Sequence, residues 1–150
     1  MFTTEYLFTP NGFLKPIEVV MSVLGVSLNQ AGVVSSEGNF LGYWYIQMCP
    51  YFVLTLAIGV CWAGMFIAIA HAVAYLFGSK LHLSEPIVNC ILGVLGILAG
   101  IIIFTHADNW NTDLTEIPEK GKALAGAVFT LITGVSFAVD AALGVLVLKN

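Results

Sequence analysis

The sequence predicts an all-α membrane protein, a four-helix transmembrane bundle, and two observations lead to that prediction. Hydrophobic residue types make up 59% of the 150 residues, whereas charged types make up only 9%. Soluble domains carry about 25% charged residues, so a soluble fold of this size could not cover so much apolar surface. The second observation is that four segments each hold about 20 mostly apolar residues, which is the length that crosses a bilayer.

The four predicted spans follow one another through short connections. They cover residues 13–34, 50–77, 86–104 and 123–148. Buried strands are much shorter than these segments, which favours a helix in each of them. The second and fourth spans are longer than a typical bilayer core, so we expect them to tilt or to project beyond it. No residues remain for a second domain, and the chain is expected to form a single four-span unit.

An even number of spans places both termini on one side of the membrane. With cytoplasmic termini, the inner side holds Lys15, Lys80 and Lys149 together with Glu5 and Glu85. The outer side then holds two lysines and five acidic residues. Three lysines against two is a small positive-inside bias, which predicts that both termini are cytoplasmic.

Composition and motifs exclude several functional classes. The chain has five lysines, no arginine and a net charge of −4, so it lacks the basic surface of a nucleic-acid-binding protein. No nucleophile elbow, zinc-protease helix, phosphate-binding loop or dinucleotide fingerprint occurs, so we expect no enzyme activity and no cofactor. Cys61 and Cys90 are interpreted as small packing residues. The sequence has no CxxC pair, which disfavours a thiol–disulfide redox enzyme.

One polar side chain in each span is expected to contribute to a layer inside the membrane. The four residues are Glu18, His71, Asn89 and Asp140. A rise of 1.5 Å per residue places them about 5 to 12 Å from the inner ends of their helices. Ionisable residues within spans usually face the bundle interior. The favoured interpretation is a structural layer that fixes helix register, while a proton or ion path remains open and a metal site is disfavoured.

Small residues at helical spacing predict close packing in a compact left-handed bundle. Such residues let membrane helices approach each other closely. The candidates are Gly25, Gly64, Gly93, Gly96, Gly100, Gly134 and Ala138.

Aromatic residues concentrate between the spans and predict an outer surface for interaction. The candidates are Phe40, Tyr43, Trp44 and Tyr45 in the first outer connection and Trp110 in the second. They fit an interfacial lid on lipid headgroups, and they also fit a partner-binding patch. Tyr75 is assigned to the aromatic belt at the inner interface.

Several segments together suggest a family. The first span carries an acid within LKPIEVV (14–20), the third opens with SEPIVNC (84–90), and the fourth contains AGAVF (125–129) and FAVDAAL (137–143). With these segments the chain resembles the MARVEL-type tetraspans, the group of the myelin-and-lymphocyte and plasmolipin-like proteins. Within that group, residues 71–78 and the short inner loop are similar to the snakeskin-like tetraspans of insect smooth septate junctions.

The resemblance implies a non-enzymatic organiser of a specialised membrane. The resemblance first implies a role in assembling septate-type cell–cell junctions in epithelium. That role would place the protein in the plasma membrane. Vesicle trafficking or membrane sorting is the alternative, and a proton or ion channel subunit is a second one motivated by the polar layer. The expected partners are membrane lipids and either a second copy of the chain or another junction membrane protein, with no nucleic acid.

Overall fold

The computed structural model describes residues 9–34, 50–77, 83–106 and 120–149, and every regular element in these ranges is an α-helix. The helices are α1 (Pro10–Val34), α2 (Pro50–Leu76), α3 (Ser84–His106) and α4 (Lys120–Lys149). Each of them contains a segment long and apolar enough to cross a membrane. The prediction of four helices with the length and apolar content of membrane spans is therefore confirmed, which is the pattern of an integral membrane protein.

Helix α1 begins three residues earlier than the apolar pattern predicts, because local capping extends it. The backbone N–H of Gly12 donates to the Thr9 hydroxyl oxygen at 3.2 Å, as expected of a threonine that caps a helix. Pro10 occupies the first position, where the missing N–H has no partner inside the helix to lose. Pro50 begins α2 in the same way.

The helices form an up-and-down arrangement in which sequential neighbours are antiparallel. Helix α1 packs on α2 and α4, and α3 packs on the same two helices. Lys15 near the start of α1 pairs with Asp140 near the end of α4, whereas Asn29 further along α1 reaches Thr130. We call the end at which α1 begins and α4 ends the proximal end of the bundle, and the opposite end the distal end.

The distribution of side chains is the reverse of that in a soluble bundle. Large apolar side chains point outward, with Phe66, Phe77 and Leu98 between 50% and 70% exposed. Polar side chains such as Glu18 and Asn89 are completely buried. This arrangement suits helices that meet lipid outside and one another inside.

Apolar packing fills the distal end and the middle of the bundle. The distal cluster consists of Val53, Leu54, Ala57, Ala99, Ile103, Ala123 and Ala127. The middle cluster consists of Val60, Ala68, Leu92 and Phe137. The charged side chains buried in the four helices are consequently confined to the proximal half.

Glycines bring the backbones of α3 and α4 into direct contact. A Cβ on Gly96 would lie 2.9 Å from Gly134 Cα, and a Cβ on Gly134 would lie 2.6 Å from the Ile97 nitrogen. A Cβ on Gly93 would meet the Ala138 nitrogen at 2.9 Å. No room exists for a side chain at these positions, so the seam between α3 and α4 depends on glycine.

The other small residues singled out in the sequence also lie against neighbouring helices. A Cβ on Gly25 would lie 2.8 Å from Cys61 Sγ, and one on Gly64 would lie 2.7 Å from the Phe137 ring. Gly100 is backed by α4, where a Cβ would lie 3.0 Å from the carbonyl oxygen of Ala127. Glycine thus allows close approach between α1 and α2, between α2 and α4 and between α3 and α4.

Candidate functional site

A cluster of charged and polar side chains surrounds Lys15 in the proximal half of the bundle. We call it the charge cluster, and its members are Lys15, Glu18, His71, Tyr75, Glu85, Asn89 and Asp140. The Lys15 Nζ atom lies 2.5 Å from Asp140 Oδ2, 3.2 Å from a Glu85 oxygen and 3.4 Å from a Glu18 oxygen. The Lys15 side chain is only 1% exposed. A single buried ammonium group therefore faces three carboxyl groups.

Asp140 is the best-satisfied carboxyl group of the cluster. Its Oδ2 atom accepts hydrogen bonds from Lys15 Nζ and from Asn89 Nδ2, each at 2.5 Å. Lys15 belongs to α1, Asn89 to α3 and Asp140 to α4, so one oxygen atom joins three helices. Buried charges persist when they are paired and hydrogen-bonded, and Asp140 meets both conditions.

Glu85 connects the charge cluster to α2. The Tyr75 hydroxyl donates to one Glu85 oxygen, and the other oxygen lies 3.5 Å from His71 Nδ1. The His71 side chain is 25% exposed, which makes it the most exposed titratable member of the cluster. The cluster thus contacts all four helices and reaches the bundle surface beside His71.

Glu18 is the least satisfied carboxyl group. Its side chain is completely buried, yet neither carboxyl oxygen has a hydrogen-bond partner. Its nearest charge is Lys15 Nζ at 3.4 Å, which is longer than the usual 2.7–2.9 Å of a charge-assisted hydrogen bond.

The structure brings three of the four polar residues singled out in the sequence into one group, and the fourth joins it indirectly. Asp140 bonds Asn89 directly, and Glu18 shares Lys15 with Asp140. His71 approaches the group through Glu85.

Sequence reasoning missed Lys15, Tyr75 and Glu85. The charge count of the sequence places Lys15 and Glu85 on the inner side of the membrane, although both side chains are buried in the charge cluster. Helical spacing could have indicated Lys15 and Glu85 as members of the cluster. Lys15 lies three residues before Glu18, and Glu85 lies four residues before Asn89, so each pair shares a helix face. The assignment of Tyr75 to an interfacial belt is wrong, because its ring is buried and its hydroxyl group bonds Glu85.

One cysteine also differs from its sequence interpretation. Cys61 is buried, as a packing residue should be, but Cys90 is exposed on the outward side of α3. Asn89 points into the bundle, whereas the next residue, Cys90, points outward, because successive helix residues point about 100° apart.

A second polar layer lies further toward the distal end. Asn29 Nδ2 donates to Thr130 Oγ1 at 2.9 Å, and the Thr130 hydroxyl donates to the Gly126 carbonyl at 2.8 Å. The Cys61 sulfur lies 3.6 Å from the same hydroxyl oxygen. Since the Thr130 proton is directed to Gly126, the Cys61 thiol is the donor in that contact. This layer ties α1, α2 and α4 together.

Replacing Thr130 with valine is expected to destabilise the bundle by about 1–2 kcal/mol, because Asn29 loses its acceptor inside the membrane. Unfolding by denaturing detergent, followed by circular dichroism, measures the change. Ser27→Ala on the exposed side of α1 is the control and should leave stability unchanged. An unchanged Thr130→Val variant would contradict a stabilising role for the second layer.

Neither layer resembles a metal centre. In the described parts of the chain, no group of three or more His, Cys, Asp or Glu residues is arranged to hold a metal ion. The aromatic candidates of the outer connections lie outside the described residues, and these are Phe40, Tyr43, Trp44, Tyr45 and Trp110.

The chemistry of the charge cluster is that of a buried electrostatic link between helices. The cluster joins the Lys15 ammonium group to more than one carboxyl group, at a level of the bundle that lipid surrounds. Comparison with family models, with curated proteins and with solved structures found no match to this chain.

Proposed function

We propose that this chain is a non-enzymatic structural tetraspan that organises a specialised membrane, and that it does so at a septate-type cell–cell junction in epithelium. The observation that carries the proposal is the inside-out arrangement of the bundle. Its buried charges engage one another, while its outward surface is apolar on all four helices. A bundle of this kind meets its partners laterally, through helix faces and lipid.

The charge cluster supports a structural role because it links all four helices at one level. Lys15 on α1 reaches Glu85 on α3 and Asp140 on α4, and Glu85 reaches Tyr75 on α2. A helix that slid by one turn, about 5.4 Å, would break these contacts. The cluster thereby fixes helix register and gives the outward surface one defined shape.

The proposal includes an orientation and a set of partners. Both termini face the cytoplasm, so the charge cluster lies in the cytoplasmic half of the plasma membrane. Lys15 lies in the charge cluster rather than at the membrane surface, so the lysine bias that predicts this orientation loses one of its three inner lysines. The partners are membrane lipids together with a second copy of the chain or another junction membrane protein.

Imaging a tagged copy in polarised epithelium tests the proposal. We expect the tagged chain to concentrate at the junctional border, and we expect its removal to increase leakage of a tracer between cells. A tagged Asp140→Leu variant is the control, because loss of the charge cluster should prevent delivery to the border. A diffuse intracellular pool would contradict the junction proposal, and colocalisation with moving vesicles would select the trafficking alternative.

Proton or ion passage is the second candidate, and the two polar layers favour it. Apolar packing opposes it, since Phe137 lies between the layers along α4 and the distal cluster fills the far end. Flux measurements on the purified chain in liposomes distinguish the two. Ion passage that Asp140→Asn abolishes would place this candidate first.

A further inference from the structure

We propose that the charge cluster is a buried proton-binding site and that Glu18 is the group that holds the proton. The inference concerns chemistry inside the bundle and does not depend on which membrane the protein organises. It rests on the charge balance of the cluster, on the hydrogen bonds of its carboxyl groups and on the burial of Glu18.

The charge balance calls for at least one bound positive charge. The titratable groups that face one another in the described helices are Lys15 and Glu18 from α1, His71 and Tyr75 from α2, Glu85 from α3 and Asp140 from α4. Three ionised carboxyl groups against one ammonium group give a formal charge of −2 with a neutral imidazole. Uncompensated charge is costly in a buried site, so a proton on one carboxyl group is strongly favoured.

The hydrogen bonds identify which carboxyl group carries the proton. Asp140 accepts from both Lys15 and Asn89 through one oxygen, and these donors stabilise its ionised form. Glu85 accepts from Tyr75 and lies next to the partly exposed His71. Glu18 accepts no hydrogen bond and is fully buried. Protonation of Glu18 reduces the formal charge of the cluster to −1, with Lys15 paired to Asp140 and the remaining carboxylate, Glu85, beside the partly exposed His71.

Geometry favours a proton over a metal cation as the ligand. The Lys15 ammonium group already lies within 3.4 Å of all three carboxyl groups, where a metal ion would have to bind. A metal ion there would be repelled by that fixed positive charge. A proton instead adds to one carboxyl oxygen and displaces nothing.

The site lies close to the proximal end of the bundle, since Lys15 and Glu85 belong to the first two turns of α1 and α3. His71 is 25% exposed and lies 3.5 Å from Glu85, which lies 3.2 Å from Lys15. The distal cluster, with Leu54 and Ile103 fully buried, closes the other end. The site therefore takes up and releases its proton on one side of the membrane, which differs from conduction across it.

Infrared spectroscopy of the full chain in lipid nanodiscs at neutral pH tests the proposal. We expect a carbonyl band from a protonated carboxylic acid, which shifts to lower frequency in heavy water. Glu18→Gln should remove this band and leave the fold intact by circular dichroism, because glutamine is a neutral isostere of the protonated acid. Glu37→Gln, a carboxyl substitution outside the four spans, is the matched control and should keep the band.

A second measurement follows from linkage between folding and protonation. The folded state would hold one proton more than the unfolded state from the ordinary pKa of glutamate, about 4.3, up to the pH at which folded Glu18 ionises, so stability falls as the pH rises across that range. The wild-type slope should correspond to one proton per molecule, and Glu18→Gln should lose that contribution. Glu37→Gln should keep the wild-type slope.

Several results would overturn the proposal. They are a wild-type chain without the band, a band that persists in Glu18→Gln, or a Glu18→Gln chain that fails to fold because an ionised Glu18 is required. A band that responds to replacing sodium with a large organic cation at fixed pH would assign the site to a metal ion instead. Flux of protons across liposomes would contradict one-sided access. The infrared and stability outcomes do not bear on where the protein is localised, so their failure is separate from failure of the proposed function, whereas proton flux across liposomes would count against both proposals.

Discussion

Replacing Asp140 with leucine is expected to destabilise the folded bundle by about 3–5 kcal/mol, because it leaves a buried ammonium group without its closest partner. Lys15 and Asn89 both direct hydrogen bonds to one oxygen of Asp140, and neither side chain can reach water from its buried position. In cells we expect low levels of the variant and poor delivery to the membrane. Unfolding of the purified chain in mixed micelles, followed by circular dichroism, gives the change in free energy.

Two further variants show whether charge is the cause. Val139→Leu changes the neighbouring outward-facing residue, which is 45% exposed, and should change stability by less than about 0.5 kcal/mol. Lys15→Met in the Asp140→Leu background also removes the ammonium group, which in the single variant keeps only the more distant Glu85 and Glu18 carboxyl groups. Replacing both members of a buried ion pair by apolar groups is often close to neutral, so stability should recover in part. A double variant no more stable than Asp140→Leu would show that the loss arises from packing.

The sequence predicts the four helices well because membrane spans are selected by length and apolar content. Each lipid-facing turn must be apolar, and that requirement is visible without any knowledge of tertiary structure. The helix ends are less predictable because they depend on capping. Thr9 and Pro10 extend α1 beyond its apolar stretch, and their residue types provide a signal that hydropathy alone ignores.

The candidate site is only partly predictable because the sequence does not reveal which charged side chains turn inward. Lysine and glutamate near a helix end usually extend toward the interface, and the charge count of the sequence places Lys15 and Glu85 on the inner side of the membrane. Both turn inward here because buried carboxyl and hydroxyl partners on other helices satisfy them. Partner choice across helices is a tertiary property, whereas the spacing of Lys15 and Glu18 shows only that the two side chains share a face.

Replacing Gly134 with leucine is expected to separate α3 from α4 and to destabilise the bundle by about 3 kcal/mol or more, since overpacking forces the backbones apart. The first atom of the new side chain would lie 2.6 Å from the Ile97 nitrogen and 2.9 Å from the Gly93 carbonyl oxygen. These are backbone atoms of α3, so no side-chain rotation relieves the clash. A chain that folds should show weaker contact between the two helices, measurable as slower disulfide formation between cysteines introduced across the seam.

Gly59→Leu provides the matched control, because the same substitution meets open space on the exposed side of α2. A Cβ at Gly59 has no heavy atom of another element within 4 Å, so the leucine would extend outward into lipid. A glycine in a helix interior lowers the stability of the helix by about 1 kcal/mol relative to a good helix former. Gly59→Leu should therefore leave the stability of the bundle unchanged or raise it slightly. Equal losses in the two variants would mean that leucine disturbs insertion at any position in these helices. A loss confined to Gly134→Leu would assign the effect to contact between the backbones of α3 and α4, which lipid cannot replace.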